Sequence, residues 1–479
     1  MRAPGRNRPA GVIVALALAL AFAALAAFPG VASAHGLVGR SDLPVPSWLF
    51  GWAAAIVLVV SFVALATLWP QPKLQQEVRR RLFRVPALVD LLAALVGVGL
   101  FVLVVYSGFA GTQQATANFA PTFIYVHFWV GLVVLSVLFG DVFRAFNPWL
   151  AVGRAACWLA GRSDRVPRWR QLEYPDWLGR WPAVAGLVGF AWLELAYIDK
   201  SDPSKLAILA LVYAGLQLLG MALFGVARWS RDGDAFGVYY NLFAHLSPFR
   251  REDRTLYLRR PLSGAPQLRV VGGSVALLCV AIGSTSFDGF SNGPVWRSIT
   301  PDLQSFFSHL GAGELNAIMW SGTVGLAGCV LAVALLYRLG VLGMQTVGEG
   351  HRAGELAMRF LHTLVPIAFA YALAHYFSLL IFQGQAGAYL ISDPLGDGSD
   401  LFGTADTRIN YNLVSTNAIW YVQVGALLAG HVAGLVLAHD RAVALYKKVQ
   451  DATRSQYWML VVMVGFTSLG LWLLSSVNE

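Results

Sequence analysis

The sequence predicts an all-α integral membrane protein, a polytopic bundle of about ten transmembrane helices. Three observations support this prediction. Of the 479 residues, 57% are hydrophobic and 13% are charged, a balance typical of membrane proteins. Apolar stretches long enough to cross a bilayer as helices recur along the chain. Lys and Arg concentrate in alternate connecting loops, which is the pattern that orients helices during insertion.

The first 34 residues resemble a secretory signal peptide. A basic start precedes an apolar region from Gly11 to Phe28, and Ala32-Ser33-Ala34 is a small-residue cleavage site. Cleavage there would make His35 the first mature residue, whose amino and ring nitrogens together suit copper. The alternatives are that His35 is only the residue after a cut, or that the segment stays as an anchor.

Residues 35–479 are predicted to form a single transmembrane helical domain without a separate soluble domain. The apolar stretches predict ten spans, at residues 47–69, 87–110, 121–143, 182–198, 206–228, 270–286, 315–337, 359–383, 416–438 and 457–475.

The loops indicate the orientation. Basic residues such as Arg79-Arg80-Arg81 and Arg250-Arg251 lie in one set of loops, which we expect to be cytoplasmic. The protein is then a multi-pass plasma-membrane protein with its mature N-terminus outside. The net charge of +9 belongs to these loops, so it does not indicate a nucleic-acid partner.

Two of the cytoplasmic segments look alike. Gly140-Asp141-Val142-Phe143 precedes Asn147-Pro148-Trp149, and Gly233-Asp234-Ala235-Phe236 precedes Asn241. Each follows the inner end of an odd-numbered span, which suggests the duplication of a helix pair. Chance similarity is the alternative, because Gly, Asp and Pro are common at helix ends.

The outer loops at 287–314 and 384–415 are rich in Gly and Asp. Clustered carboxylates can hold a hard cation. However, the segment DPLGDGSD lacks the spacing and the terminal Glu of a calcium loop. We expect a solvated turn there.

The eighth span carries two histidines, His362 and His375, within Arg359–Gln385. Ionisable groups at membrane depth are costly and usually face a bundle interior. The two are thirteen residues apart, about 20 Å along a helix and on nearly opposite faces, so they cannot share one site. Tyr371 and Ser378 lie on the same stripe as His375.

Depth along the helices sorts the polar residues into layers. His127, Glu194 and His375 fall within several Å of one depth near the outer face, and Asp288 lies just above them. Two imidazoles and a carboxylate are a ligand set for zinc, copper or ferrous iron. We therefore predict a divalent metal there, zinc or copper. The alternative is that each histidine only hydrogen-bonds to a neighbouring helix.

A second layer lies near the cytoplasm, and His431 falls between the two layers. Most residues of this inner layer can be explained as paired charges at the lipid headgroups, which need no functional role. Its members are Asp90, Asp141, Arg144, His362, His439, Asp440 and Arg441.

Several motifs are similar to those of bacterial membrane proteins of the fenitrothion hydrolase-like family. They are AHGLVGRSDLPVP, GDVFRAFNPW, STSFDGF, AHYFSLLIFQGQ and SDPLGDGSDLFGT. The resemblance covers nearly the whole chain after the signal, and it implies hydrolysis of the aryl ester bond of an organophosphorus triester. In that case a metal-bound water would attack phosphorus, and Asp288 or Tyr371 would steer the water or the leaving phenolate.

Two other classes of function stay open. The first is a metal-handling protein, since His127 and His375, then His431, then His362 and His439 form a series of depths that suits a conduction path. The second is a haem-bearing redox protein, with His127/His375 and His362/His439 as axial pairs. The expected partners are the lipid bilayer and either a small apolar substrate or a metal ion.

Overall fold

The computed structural model describes residues 47–162, 171–347 and 350–476. These residues form a bundle of α-helices. The predicted signal peptide at 1–34 and His35 lie outside the described residues. From the first described residue to the sheet region the elements are α1 (Ser47–Leu68), β1 (Arg79–Arg84), α2 (Ala87–Ala110), α3 (Phe119–Thr122), a π-helix (Phe123–Gly131), α4 (Leu132–Phe139), α5 (Val142–Phe146), α6 (Pro148–Arg162), α7 (Trp181–Leu195), α8 (Pro203–Phe224), α9 (Val226–Asp232), α10 (Ala235–Ala244), β2 (Phe249–Glu252) and β3 (Thr255–Arg259).

The second half is helical throughout its regular elements. They are α11 (Ser274–Ser291), α12 (Pro294–His309), α13 (Glu314–Gln345), α14 (Ala353–Phe360), α15 (Leu364–Phe382), α16 (Ala386–Ser392), α17 (Thr416–Leu445) and α18 (Val449–Ser476). Short 3₁₀ turns at Leu361–Thr363 and Gln383–Gln385 join α14, α15 and α16 into one long run.

Within the described residues, seven helical runs are long and apolar enough to cross a membrane. They are Ala87–Ala110, Phe119–Phe139, Pro203–Phe224, Ser274–Ser291, Glu314–Gln345, Ala353–Ser392 and Thr416–Leu445. This is compatible with a multi-pass membrane protein, as predicted. The three other predicted spans coincide with α1, α7 and α18, and their crossing stays a prediction, as do the plasma membrane and the orientation.

Two helices show how the bundle divides between lipid and core. Helix α2 is apolar on all sides, and side chains such as Leu88 and Leu95 are more than half exposed, as expected of a helix against lipid. Helix α11 is mostly buried and packs against α7, α13 and α15. The candidate site lies on this central helix.

Helix α17 packs closely on α15. A Cβ at Gly430 would lie 2.2 Å from the Cβ of Ala370 and 2.7 Å from the carbonyl oxygen of Pro366, so a side chain there would clash. Pro366 lies in the first turn of α15, directly after the 3₁₀ turn. Its missing N–H is tolerated there, because the first N–H groups of a helix have no intrahelical acceptor.

The sequence did not predict a β-sheet, and the structure contains one. Strands β1, β3 and β2 pair in that order as an antiparallel sheet. Glu77 accepts from Arg250 and Arg259 beside it. The loops predicted at 70–86 and 229–269 are therefore joined into a small folded layer at one end of the bundle.

The predicted outer loops begin inside helices. Helix α11 continues to Ser291, so Asp288 lies in its last turn and not in the loop after it. Helix α12 occupies much of 287–314, and α16 the start of 384–415. Asp393 accepts from the backbone N–H groups of Asp397 and Gly398 at 3.1 and 3.0 Å, so its carboxylate stabilises a turn.

Candidate functional site

The central polar contact of the candidate site joins His375 on α15 to Asp288 on α11. The His375 Nε2 lies 2.8 Å from the Asp288 Oδ2. Both side chains are 22% exposed, so the pair is accessible from outside the bundle. Since a carboxylate only accepts, Nε2 carries the proton and Nδ1 keeps a lone pair. The pair is the arrangement in which a carboxylate orients an imidazole base.

Tyr376 lies beside this contact and was missed by the sequence reasoning. Its side chain interacts electrostatically with the Asp288 carboxylate. Gly289 lies beside the histidine, where an added Cβ would be 3.6 Å from the His375 Nδ1. The available signal was that Tyr376 directly follows His375, whereas the helical stripe pointed to Tyr371.

Glu194 on α7 is the second carboxylate of the site. Its Oε2 is buried and has no hydrogen-bond partner among the described residues. Its charge interacts with those of Asp288 and Lys200. Glu194 thus interacts electrostatically with Asp288, and its grouping with His375 stays a prediction.

His127 lies elsewhere. It is part of the π-helix, and its Nε2 donates to the Gly384 carbonyl oxygen at 3.1 Å. Gly384 is nine residues beyond His375, about 13 Å further along a helix axis. The buried Nδ1 of His127 has no partner among the described residues. π-Helical turns are frequent at functional sites.

A preassembled metal centre is not found among the described residues, where no group of three or more His, Cys, Asp or Glu side chains is positioned to hold a metal ion. His127 in particular is turned to the Gly384 carbonyl. The ligand set His127, Glu194 and His375 stays a prediction.

Tyr371 and His431 lie deeper, between α15 and α17. The Tyr371 hydroxyl donates to the Phe466 carbonyl oxygen at 2.7 Å, so its proton is committed to helix packing. The rings of Tyr371 and His431 are 6.0 Å apart. His431 is fully buried, its Nδ1 donates to the Leu427 carbonyl at 2.8 Å, and its Nε2 has no partner among the described residues.

The inner layer serves packing for the most part. The His439 Nε2 lies 3.0 Å from the Trp69 carbonyl oxygen, and its Nδ1 lies 3.2 Å from the Gln456 Oε1. Asp440 accepts four donors from 69–75, including the Trp69 indole at 3.0 Å. The buried Nε2 of His362 has no partner among the described residues.

The two similar segments are cross-paired. The Asp141 Oδ2 accepts from the Asn241 Nδ2 at 2.9 Å, and the Asp234 Oδ2 accepts from the Asn147 Nδ2 at 2.8 Å. The first segment's carboxylate thus binds the second segment's amide, and the reverse. Burial raises the pKa of both aspartates. This reciprocal contact is compatible with the duplication of a helix pair, which stays a prediction.

Comparisons with models of protein families, with curated proteins and with solved structures found no match. The strongest feature of the candidate site is the His375–Asp288 pair with a buried carboxylate beside it.

Proposed function

We propose that the protein is a membrane hydrolase that cleaves an uncharged ester, an organophosphorus triester in particular, from the outer side of the membrane. The observation that carries this proposal is the 2.8 Å contact between His375 and Asp288 in a partly exposed position. The sequence resemblance described above supports the same reaction class.

The pair supplies general-base catalysis. Asp288 fixes the tautomer in which the His375 Nδ1 is unprotonated, and this nitrogen takes a proton from water as the water oxygen attacks phosphorus. The new P–O bond forms as the bond to the aryl oxygen breaks. The imidazolium, stabilised by Asp288, returns the proton to the leaving phenolate, so that atoms and charge balance.

The surroundings match an apolar neutral substrate. A triester partitions into the bilayer, and the site lies in the outer part of helices with lipid-facing apolar surfaces. The Asp288 carboxylate would repel an anionic substrate near the histidine.

No step of this reaction is routed through a metal. A metal bound at the His375 Nδ1 would find Asp288 already orienting the ring, as carboxylates commonly do for metal-binding histidines. Such a metal would supply an activated water. Elemental analysis of the purified wild type and of His375→Ala tests whether a metal binds at His375. Equal metal content in the two proteins would refute metal binding there.

The main test is release of nitrophenol from a nitrophenyl phosphotriester by the purified full chain in detergent. We expect His375→Gln and Asp288→Asn each to lower kcat by about 10²–10⁴-fold. His309→Gln, which changes a histidine on α12 away from the pair, is the matched control and should leave the rate unchanged. Full activity in His375→Gln, or no activity in the wild type, would refute the proposal.

A second function is favoured by a separate observation: among the described residues, the buried Nε2 atoms of His431 on α17 and of His362 in the 3₁₀ turn before α15 have no hydrogen-bond partner. Imidazole nitrogens at successive depths suit the passage of a copper ion. His431→Ala should then lower copper tolerance of cells that depend on this protein, while triester hydrolysis should be retained. Unchanged tolerance would refute passage along this route.

A further inference from the structure

Two helix N-termini meet at the end of the bundle that carries the sheet. Helix α7 begins at Trp181 and α11 at Ser274, and the Arg180 N–H donates to the Gly272 carbonyl oxygen at 2.7 Å. Gly273 has φ +83°, and a Cβ there would lie 3.0 Å from the Trp181 nitrogen. Only glycine permits both this conformation and this approach.

Both helix starts offer positive charge. The first N–H groups of a helix lack intrahelical acceptors, and the helix dipole places partial positive charge at the same end. Neither start has a side chain that caps it by a hydrogen bond. Pro182 in α7 has no N–H, and the Ser274 N–H donates to the Val271 carbonyl oxygen at 3.0 Å, so the N–H groups open to a ligand are the others of each first turn. Converging helix N-termini are a recurrent way to bind anions.

Arg180 adds a full charge at this point. It is 3% exposed, its Nη1 lies 3.4 Å from the Ser274 Oγ, and its Nε has no acceptor among the described residues. A buried guanidinium needs acceptors for five N–H groups, and leaving them unpaired is costly. Burial lowers the pKa of Arg180 to about 10, and the charge of Asp232 offsets only part of this effect.

The acidic groups nearby are committed to other cations. Asp232 is fully buried and accepts from Arg269 at 2.6 and 2.9 Å. It also pairs with Arg228 at 3.1 Å. Asp176 pairs with Arg228 at 3.5 Å and is fully exposed. Among the described residues no carboxylate forms an ion pair with Arg180, and Asp232, which interacts with its charge, is already paired with other arginines.

We propose that the N-termini of α7 and α11, together with Arg180, bind a phosphate-class oxyanion. A guanidinium fork and backbone N–H groups match the oxygens of a phosphate. Trp177 and Trp181, which are 76% and 50% exposed, flank the position, and tryptophan is enriched at the membrane–water interface. A phospholipid headgroup and free phosphate share this chemistry.

The test uses the purified full chain with two probes. Inorganic phosphate is titrated against chloride at equal ionic strength and followed by thermal unfolding and calorimetry. Bound phosphatidylglycerol is counted by native mass spectrometry after exchange into a zwitterionic detergent. Arg180→Gln should weaken the binding of whichever probe the wild type binds about tenfold or more. Arg180→Lys should restore part of the lost affinity. Arg338→Gln, an exposed arginine on α13, is the control.

A second variant protects the test against a folding defect. Ala276→Glu adds a carboxylate to the first turn of α11, which favours the helix but repels an anion at its N-terminus. Loss of phosphate stabilisation in this folded variant identifies free phosphate as the ligand, and loss of one phosphatidylglycerol adduct identifies a headgroup. If the wild type binds neither probe, or if both folded variants bind as the wild type does, the inference is refuted.

Discussion

The buried carboxylate of Asp234 should be among the most sensitive single positions for stability. It accepts three hydrogen bonds of 2.8 Å, from Asn147, Trp149 and Tyr213. Asp234→Ala leaves all three donors without this acceptor in a buried environment. At about 1–3 kcal/mol for each unsatisfied donor, and with partial relaxation, we expect a loss of about 4 kcal/mol in the free energy of unfolding.

Tyr213→Phe is a milder comparison, because it removes one of the three donors and the Asp234 carboxylate keeps the other two. It should cost about 1 kcal/mol. The assay is equilibrium unfolding in mixed detergent micelles, followed by helical circular dichroism and by tryptophan fluorescence. If Asp234→Ala destabilises the protein no more than Tyr213→Phe does, the three contacts are not jointly important and the reasoning fails.

Three further predictions follow from individual contacts. Burial lowers the pKa of His245 to about 4. The contribution of this depressed pKa to the free energy of unfolding is complete above the ordinary pKa of about 6.5 and is lost as the pH falls towards 4. Between about pH 7 and pH 5 the wild type should therefore lose about 2 kcal/mol of stability that His245→Gln does not lose. A pH series of unfolding curves checks this, and parallel series would contradict it. Gly387→Ala would place a Cβ 2.6 Å from the His127 Nε2, so thermal unfolding should show a loss of about 1–3 kcal/mol, whereas Gly384→Ala meets its nearest atom at 3.9 Å and should be nearly neutral. Asp440→Ala should cost about 3 kcal/mol in the same assay because it leaves four donors of the 69–75 segment unpaired, and a loss below about 1 kcal/mol would argue against that role.

The apolar helices were predictable because hydropathy and helix punctuation act locally. The predicted span 87–110 coincides with α2, which begins after Pro86 and ends before Gly111. A proline before a helix and a glycine after it are signals that need no knowledge of the rest of the chain.

The sheet was not predictable in the same way. Strand β1 consists of four arginines with Leu82 and Phe83, so it shows no alternation of apolar and polar residues. It pairs with a strand about 170 residues later in the chain. Register between such distant segments is set by packing and charge pairing, which a local pattern does not contain.

The candidate site was predictable in depth and not in direction. Counting residues along each span placed His375 and Asp288 near one level, and the structure joins them. The same count grouped His127 with them, although it contacts Gly384. Depth along a helix says nothing of the side to which a ring turns, and the π-helix at 123–131 shifts that direction further.

The exchange of contacts between the two similar segments has a consequence for the order of synthesis. Asp141 and Asn147 are synthesised before Asp234 and Asn241. Their hydrogen-bond partners follow 100 and 87 residues later in the chain. The first of the two similar segments should therefore remain near the insertion machinery, or near a chaperone, until the second segment has been synthesised. A nascent chain that ends between the two segments should be degraded faster than one that includes both.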